Sequence, residues 1–130
     1  MTQTTDLIQA AVEASQSAYV PYSKFPVGAA LKMSDDHIFK GCNIENASFG
    51  LTNCAERTAI FKAISEGRKD FSEIAIYGET ADPISPCGAC RQVMVEFFEK
   101  DTKVTLIAKN GKTVEMTVGE LLPYSFTDLT

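Results

Sequence analysis

No run of about 18 consecutive apolar residues occurs in the 130 positions, so nothing reads as a membrane-spanning helix. The opening segment, MTQTTDLIQAAVEAS, lacks a basic start followed by a long apolar stretch. It does not read as a secretion signal, and a cytoplasmic protein is expected. Long charged blocks, low-complexity segments and internal repeats are also missing. With 45% hydrophobic residues, a compact globular fold is expected rather than disorder, and the length suits a single domain spanning 1–130. Cationic residues are the minority, 12 Lys and Arg against 17 Asp and Glu, for a net charge of -5. That balance argues against a nucleic-acid partner, whose phosphate backbone needs clustered Lys and Arg. Histidine occurs once, as His37 beside an expected hairpin turn, where it reads as a surface residue.

What is present divides into clear elements. Leu7, Ile8, Ala11, Val12, Ser15 and Ala18 recur at helical intervals and predict an amphipathic helix over 5–18, ending before Pro21. VGAALKM predicts a strand, Asp35-Asp36 a turn, and HIFKGCN the return strand. The stretch 44–53 has no clean period and reads as loop. A helix is expected over 54–66 with Gly67 as its cap, then a strand at SEIAIYG. Pro83 and Pro86 bracket a loop ahead of a helix over 87–99 with a face of Val93, Met94 and Phe97. KVTLIAK and KTVEMTV read as strands joined through Asn110-Gly111, a type I′ hairpin signal. About five strands and at least three helices make an α/β fold, with helices covering a mixed sheet.

Four cysteines are present: Cys42, Cys54, Cys87 and Cys90. Two disulfides are formally possible, yet in a reducing compartment Cys87-Gly88-Ala89-Cys90 reads better as a metal or redox element. Three apart at the start of a helix, Cys87 and Cys90 can turn both sulfurs to one point, and Cys54 opens another helix. Helix N-termini favour thiolate over thiol. A structural zinc site would want a fourth ligand, and the sequence offers no convincing one; a catalytic site leaves that position to water. Glu56, two residues past Cys54, is placed to take and deliver protons there. Three thiolates would blunt the acidity of the metal, so donors to sulfur are needed, and Arg57 and Arg91 are the candidates; the lesser reading of Arg57 is a plain surface or salt-bridge arginine. Cys42 has no spaced partner and reads as a small buried hydrophobe.

The segments GCNIENASFG, NCAERTAIFKAISEG and SPCGACRQVM, with PYSKFPVGAAL before and ELLPYSF after them, resemble the small zinc-dependent cytidine deaminases of the homotetrameric type over nearly the whole chain. Such zinc deaminases pair three His or Cys ligands with a glutamate that is not a ligand. The resemblance implies a three-layer α-β-α sandwich with a mixed five-stranded sheet, and one Zn²⁺ per subunit on Cys54, Cys87 and Cys90. It implies hydrolytic deamination of cytidine and 2′-deoxycytidine, with Glu56 shuttling protons. Asn43 and Glu45 resemble the pair that holds the ribose, and their equal parity on an extended segment would let both face one ligand. Phe25 resembles the aromatic against the base, the backbone at Ala55 together with Ser85 would read the pyrimidine edge, and Phe126 would reach the site of a neighbouring subunit. Phe49 stands where many relatives carry tyrosine.

Three other readings compete. A deaminase of a blasticidin-type nucleoside antibiotic should tolerate loss of the ribose contacts in NIEN. An enzyme editing bases within RNA or DNA needs a cationic path for phosphates, which an acidic chain disfavours. A structural-zinc interaction module requires four protein ligands.

Overall fold

The computed structural model describes residues 4–125. Helix α1 (Thr4–Ser15) leads into β1 (Val27–Met33) and β2 (Ile38–Cys42), then a 3₁₀ turn (Phe49–Leu51) and α2 (Ala55–Ser65). There follow β3 (Phe71–Gly78), α3 (Gly88–Phe97), β4 (Lys103–Ile107), β5 (Thr113–Thr117) and the short α4 (Val118–Leu121). The sheet runs in the order β2-β1-β3-β4-β5. β1 is antiparallel to β2 and β3, β4 is antiparallel to β5, and β3 and β4 are parallel. A parallel pair needs a crossover, and α3 supplies it.

Alternation along the strands builds two cores. Ala29, Leu31, Ile74, Ile76, Val104 and Leu106 face α2, α3 and α4 through Ala59, Ile60, Met94 and Val118. The intervening Ala30, Ala75, Tyr77 and Ile107 face α1 through Leu7 and Ala11. The three-layer α-β-α sandwich with its mixed five-stranded sheet is thus the fold expected from the sequence. Two glycines let helices touch the sheet closely. A Cβ on Gly28 would lie 2.0 Å from the Ala11 carbonyl oxygen of α1, and one on Gly41 would lie 2.5 Å from both the Ala55 oxygen and the Ala59 nitrogen of α2. No helix among the described residues is long and apolar enough to cross a membrane.

Element ends differ from the sequence pattern where local hydrogen bonds intervene. α1 stops at Ser15, short of Ala18, because the N–H groups of residues 16, 17 and 18 donate to carbonyls three residues back rather than four. α2 is closed by Gly67 at φ 84°, with its N–H on the Ile64 carbonyl and the Arg68 N–H on that of Ala63, the paired bonds of a Schellman ending. α3 ends at Phe97 because Phe98 turns extended and packs its ring 4.8 Å from that of Phe71. The Asn110-Gly111 turn is not type I′, which requires positive φ at both central residues. Only Gly111 of the two has it, at 88°. The Asn110 side chain instead accepts the Lys112 N–H at 2.9 Å, and a longer loop closes through the Ala108 N–H on the Lys112 carbonyl.

Candidate metal centre and active site

The first turns of α2 and α3 converge at one end of the sheet. Cys54 and Cys87 are the residues immediately before these helices, both in extended backbone, and neither side chain caps its own helix. Their sulfurs are therefore free to face outward, and they face one another. Sγ of Cys54 lies 3.8 Å from that of Cys87, and Cys87 lies 3.3 Å from Cys90. All three sulfurs fall within 4.8 Å of each other, and among the described residues no fourth His, Cys, Asp or Glu joins them. Zn–S bonds of about 2.3 Å in a tetrahedron put sulfurs about 3.8 Å apart, so the trio fits a zinc ion with one position left over. Cys42 is half-buried away from the trio, and His37 is exposed.

Hydrogen bonding with Cys90 and then the Arg57 guanidinium hold the Cys54 thiol down to about 5, while the bond to Cys54 and burial push Cys90 up. Arg57 Nη2 donates to Cys54 Sγ at 3.2 Å. An Asn53 side-chain N–H donates to Thr58, whose hydroxyl donates to the Cys54 carbonyl at 3.0 Å, so the turn bearing Cys54 is braced from both sides. Thr58 stands four residues after Cys54, a spacing at which a threonine can bond back to the helix, but sequence reasoning passed over it.

A cavity of about 170 Å³ opens beside the sulfurs. It is lined by Cys54, Ala55, Glu56 and Cys87, by the apolar Val27, Ile76, Ile84 and Pro86, and by Asn43, Thr52 and Ser85. Glu56 is only 4% exposed, and burial, followed by the charge of Cys54, raises its carboxyl above the ordinary range. Ile76 and Ile84 were not anticipated as cavity walls, because their spacing marks only core or loop.

The other expected residues divide. Asn43 lines the cavity, but its amide already bridges the chain: Oδ1 accepts the Val27 N–H and Nδ2 donates to the Phe25 carbonyl, both at 2.9 Å. Glu45 lies elsewhere, in an adjoining cavity of about 400 Å³ lined also by Tyr22, Ser23, Phe49 and Thr52. Its carboxylate accepts the N–H groups of Tyr22 and Ser23 at 3.0 and 3.1 Å. Asn43 and Glu45 thus line adjoining cavities. Thr52 belongs to both cavities and joins them. Phe25 is not among the lining residues, but its ring lies close to Gly78, beside the Ile84 that does line the cavity. Arg91 is corrected outright. Its guanidinium donates to the Pro86 and Leu121 carbonyls, each at 2.9 Å, and to the Ser85 hydroxyl, rather than to a sulfur. A side chain springing from the first turn of α3 can double back to the preceding loop, and there it meets oxygens. Phe126 lies outside the described residues.

Arg57→Gln tests the remaining arginine. The expected protein retains zinc but turns over at least about tenfold more slowly, since partners of metal ligands commonly matter by 10–100-fold. Zinc content with initial rates checks this, and an unchanged rate would remove Arg57 from the role.

Residues 1–107 match the family model described as the cytidine and deoxycytidylate deaminase zinc-binding region. The chain is 60% identical over 121 residues to a cytidine deaminase of Halalkalibacterium halodurans, covering 93% of this chain and 92% of that one. It is 52% identical over 121 residues to one of Sporosarcina psychrophila, covering 93% and 89%. Its fold superposes on the crystal structure of cytidine deaminase from Burkholderia pseudomallei with a TM-score of 0.94 at 50% identity, over 96% of this chain and 100% of that one. With three sulfurs gathered beside a buried glutamate and a zinc-binding family model matched over most of its length, the chain belongs to the cytidine and deoxycytidylate deaminase family.

Proposed function

We propose that the chain hydrolyses cytidine and 2′-deoxycytidine, consuming water and releasing ammonia to leave uridine and 2′-deoxyuridine. The observation that carries this is Glu56, buried yet lining the same cavity as Cys54 and Cys87. Cys54, Cys87 and Cys90 would hold the single Zn²⁺, which when bound supplies the Lewis acidity that brings a water toward ionisation near neutral pH. Glu56 accepts the proton of the attacking water and hands it to ring N3, then serves the departing amine. Burial raises its proton affinity, which favours taking up that proton. Arg57 draws charge from Cys54. Val27, Ile76 and Ile84 offer an apolar slot to the ring, with the backbone at Ala55 and Ser85 at its polar edge. The ribose would lie along the passage past Thr52, between Asn43 and Glu45, with Glu45 offering the carboxylate oxygen that does not bind the 22–23 backbone.

The protein would work as a homotetramer with Phe126 reaching a neighbour's site. Exposed apolar side chains support an interface here: Phe49 is 77% exposed beside Leu51, and it meets Tyr22 edge-on at 6.4 Å. Aromatic residues are enriched at such surfaces. The test is zinc content together with ammonia release from cytidine, deoxycytidine, cytosine, CMP and blasticidin S. One zinc per chain and turnover of the first two are expected. Cytosine should be poor without a ribose, and CMP poor because Glu45 repels its phosphate. Blasticidin S as the preferred substrate would favour the antibiotic deaminases instead. Zinc held by four side chains without turnover would favour a structural module.

A further inference from the structure

Of the three clustered cysteines Cys90 is buried, Cys54 half-buried and Cys87 exposed, so packing holds Cys87 least. Something else must keep its sulfur 3.3 Å from Cys90 and 3.8 Å from Cys54. The geometry points to Arg91 as the positioning residue that fixes Cys87, acting through the backbone ahead of it and anchored on the far side to α4. This inference rests on the zinc reading of the three sulfurs.

Arg91 lies one turn into α3, where its own N–H donates to the Cys87 carbonyl at 3.0 Å. Its Nε donates to the Pro86 carbonyl at 2.9 Å. That oxygen belongs to the planar peptide joining Pro86 to Cys87, so holding it sets the orientation of the whole unit that carries Cys87. Nη2 holds the Ser85 hydroxyl, and Nη1 reaches the Leu121 carbonyl at 2.9 Å, at the C-terminal end of α4, where a helix has no partner of its own to offer. A guanidinium presents these donors in one rigid plane, so the loop 85–87 and the end of α4 cannot shift apart without breaking at least one bond. The same fork gives Ser85, on the cavity wall, its orientation.

Arg91→Met and Arg91→Lys proteins, compared with wild type, test this. Zinc transfer to a chromophoric chelator should be about 10–100-fold faster from folded R91M, the range found when outer contacts of a metal site are lost. R91K should fall between, because an ammonium keeps the charge but not the planar fork. In metal-free protein, amide exchange of residues 87–91 should quicken in R91M, a readout independent of turnover. Circular dichroism verifies folding, and if R91M does not fold then R91K is judged alone. Zinc transfer and amide exchange equal to wild type in the folded variant would overturn the role of Arg91. Lack of zinc or of ammonia release in wild type itself would instead sink the functional reading, while the exchange comparison would still judge Arg91.

Discussion

Glu56→Gln is expected to fold, to keep its zinc and to deaminate cytidine about 10²–10⁴-fold more slowly, the usual range for loss of a general acid–base. The side chains are nearly the same size, and the sulfurs that gather around the metal position do not include Glu56. Zinc content should therefore be unchanged. Glutamine cannot accept the proton of the attacking water, so the defect should fall on kcat more than on KM. Stability provides an internal control. A carboxylate that is only 4% exposed is costly to keep charged, so the neutral amide should unfold no earlier than wild type. Ammonia release, metal analysis and thermal unfolding on one preparation decide the matter. Turnover within a few-fold of wild type would end the assignment of Glu56 as proton carrier.

Gly41→Ala should be the most damaging single-methyl addition to the site, although position 41 does not line the cavity beside the sulfurs. The new Cβ would sit 2.5 Å from the Ala55 oxygen, 2.5 Å from the Ala59 nitrogen and 3.0 Å from the Ala59 Cα. All are backbone atoms, so no side chain can swing aside and α2 itself must lift from β2. Overpacking of this kind costs about 1–3 kcal/mol, occasionally more. The lifted helix carries Glu56 and Arg57 and begins at Cys54, and misplacement by about 1 Å can cost about 10²-fold in rate. Gly28→Ala makes the telling comparison. Its Cβ would meet the Ala11 oxygen at 2.0 Å and the Ser15 nitrogen at 2.5 Å, but these belong to α1 on the opposite face, which bears none of the site residues. G28A should lose stability at least as severely while its folded fraction keeps a kcat near that of wild type. Equal loss of kcat in both variants would show that the damage is general rather than directed through α2.

Much of this architecture was legible because it is written in local periodicity. The strand VGAALKM matches β1 residue for residue, and the cysteines at 54 and 87 stand at the starts of the helices expected there. The sulfur cluster was legible through spacing, since Cys87 and Cys90 share a helical turn. What escaped depends on contacts between distant segments. That Arg91 serves oxygens at 85, 86 and 121, and that Glu45 is taken up by the backbone at 22 and 23, follows from where loops fold back, which no short pattern encodes. Nor does a short pattern reveal what holds Asn43-Ile44-Glu45 in place. Ile44 forms isolated bridges to both Tyr19 and Asn53, so this stretch is held between two distant segments.

The two helices that begin at Cys54 and Cys87 lack the hydroxyl or carboxylate that usually quiets a helix start, a contact worth about 1 kcal/mol. With sulfur there instead, the cation that neutralises those thiolates also steadies the opening turns of both helices. Stripping it with a chelator should loosen α2 and α3 from their leading ends, so that keeping this protein intact and keeping it competent become the same problem.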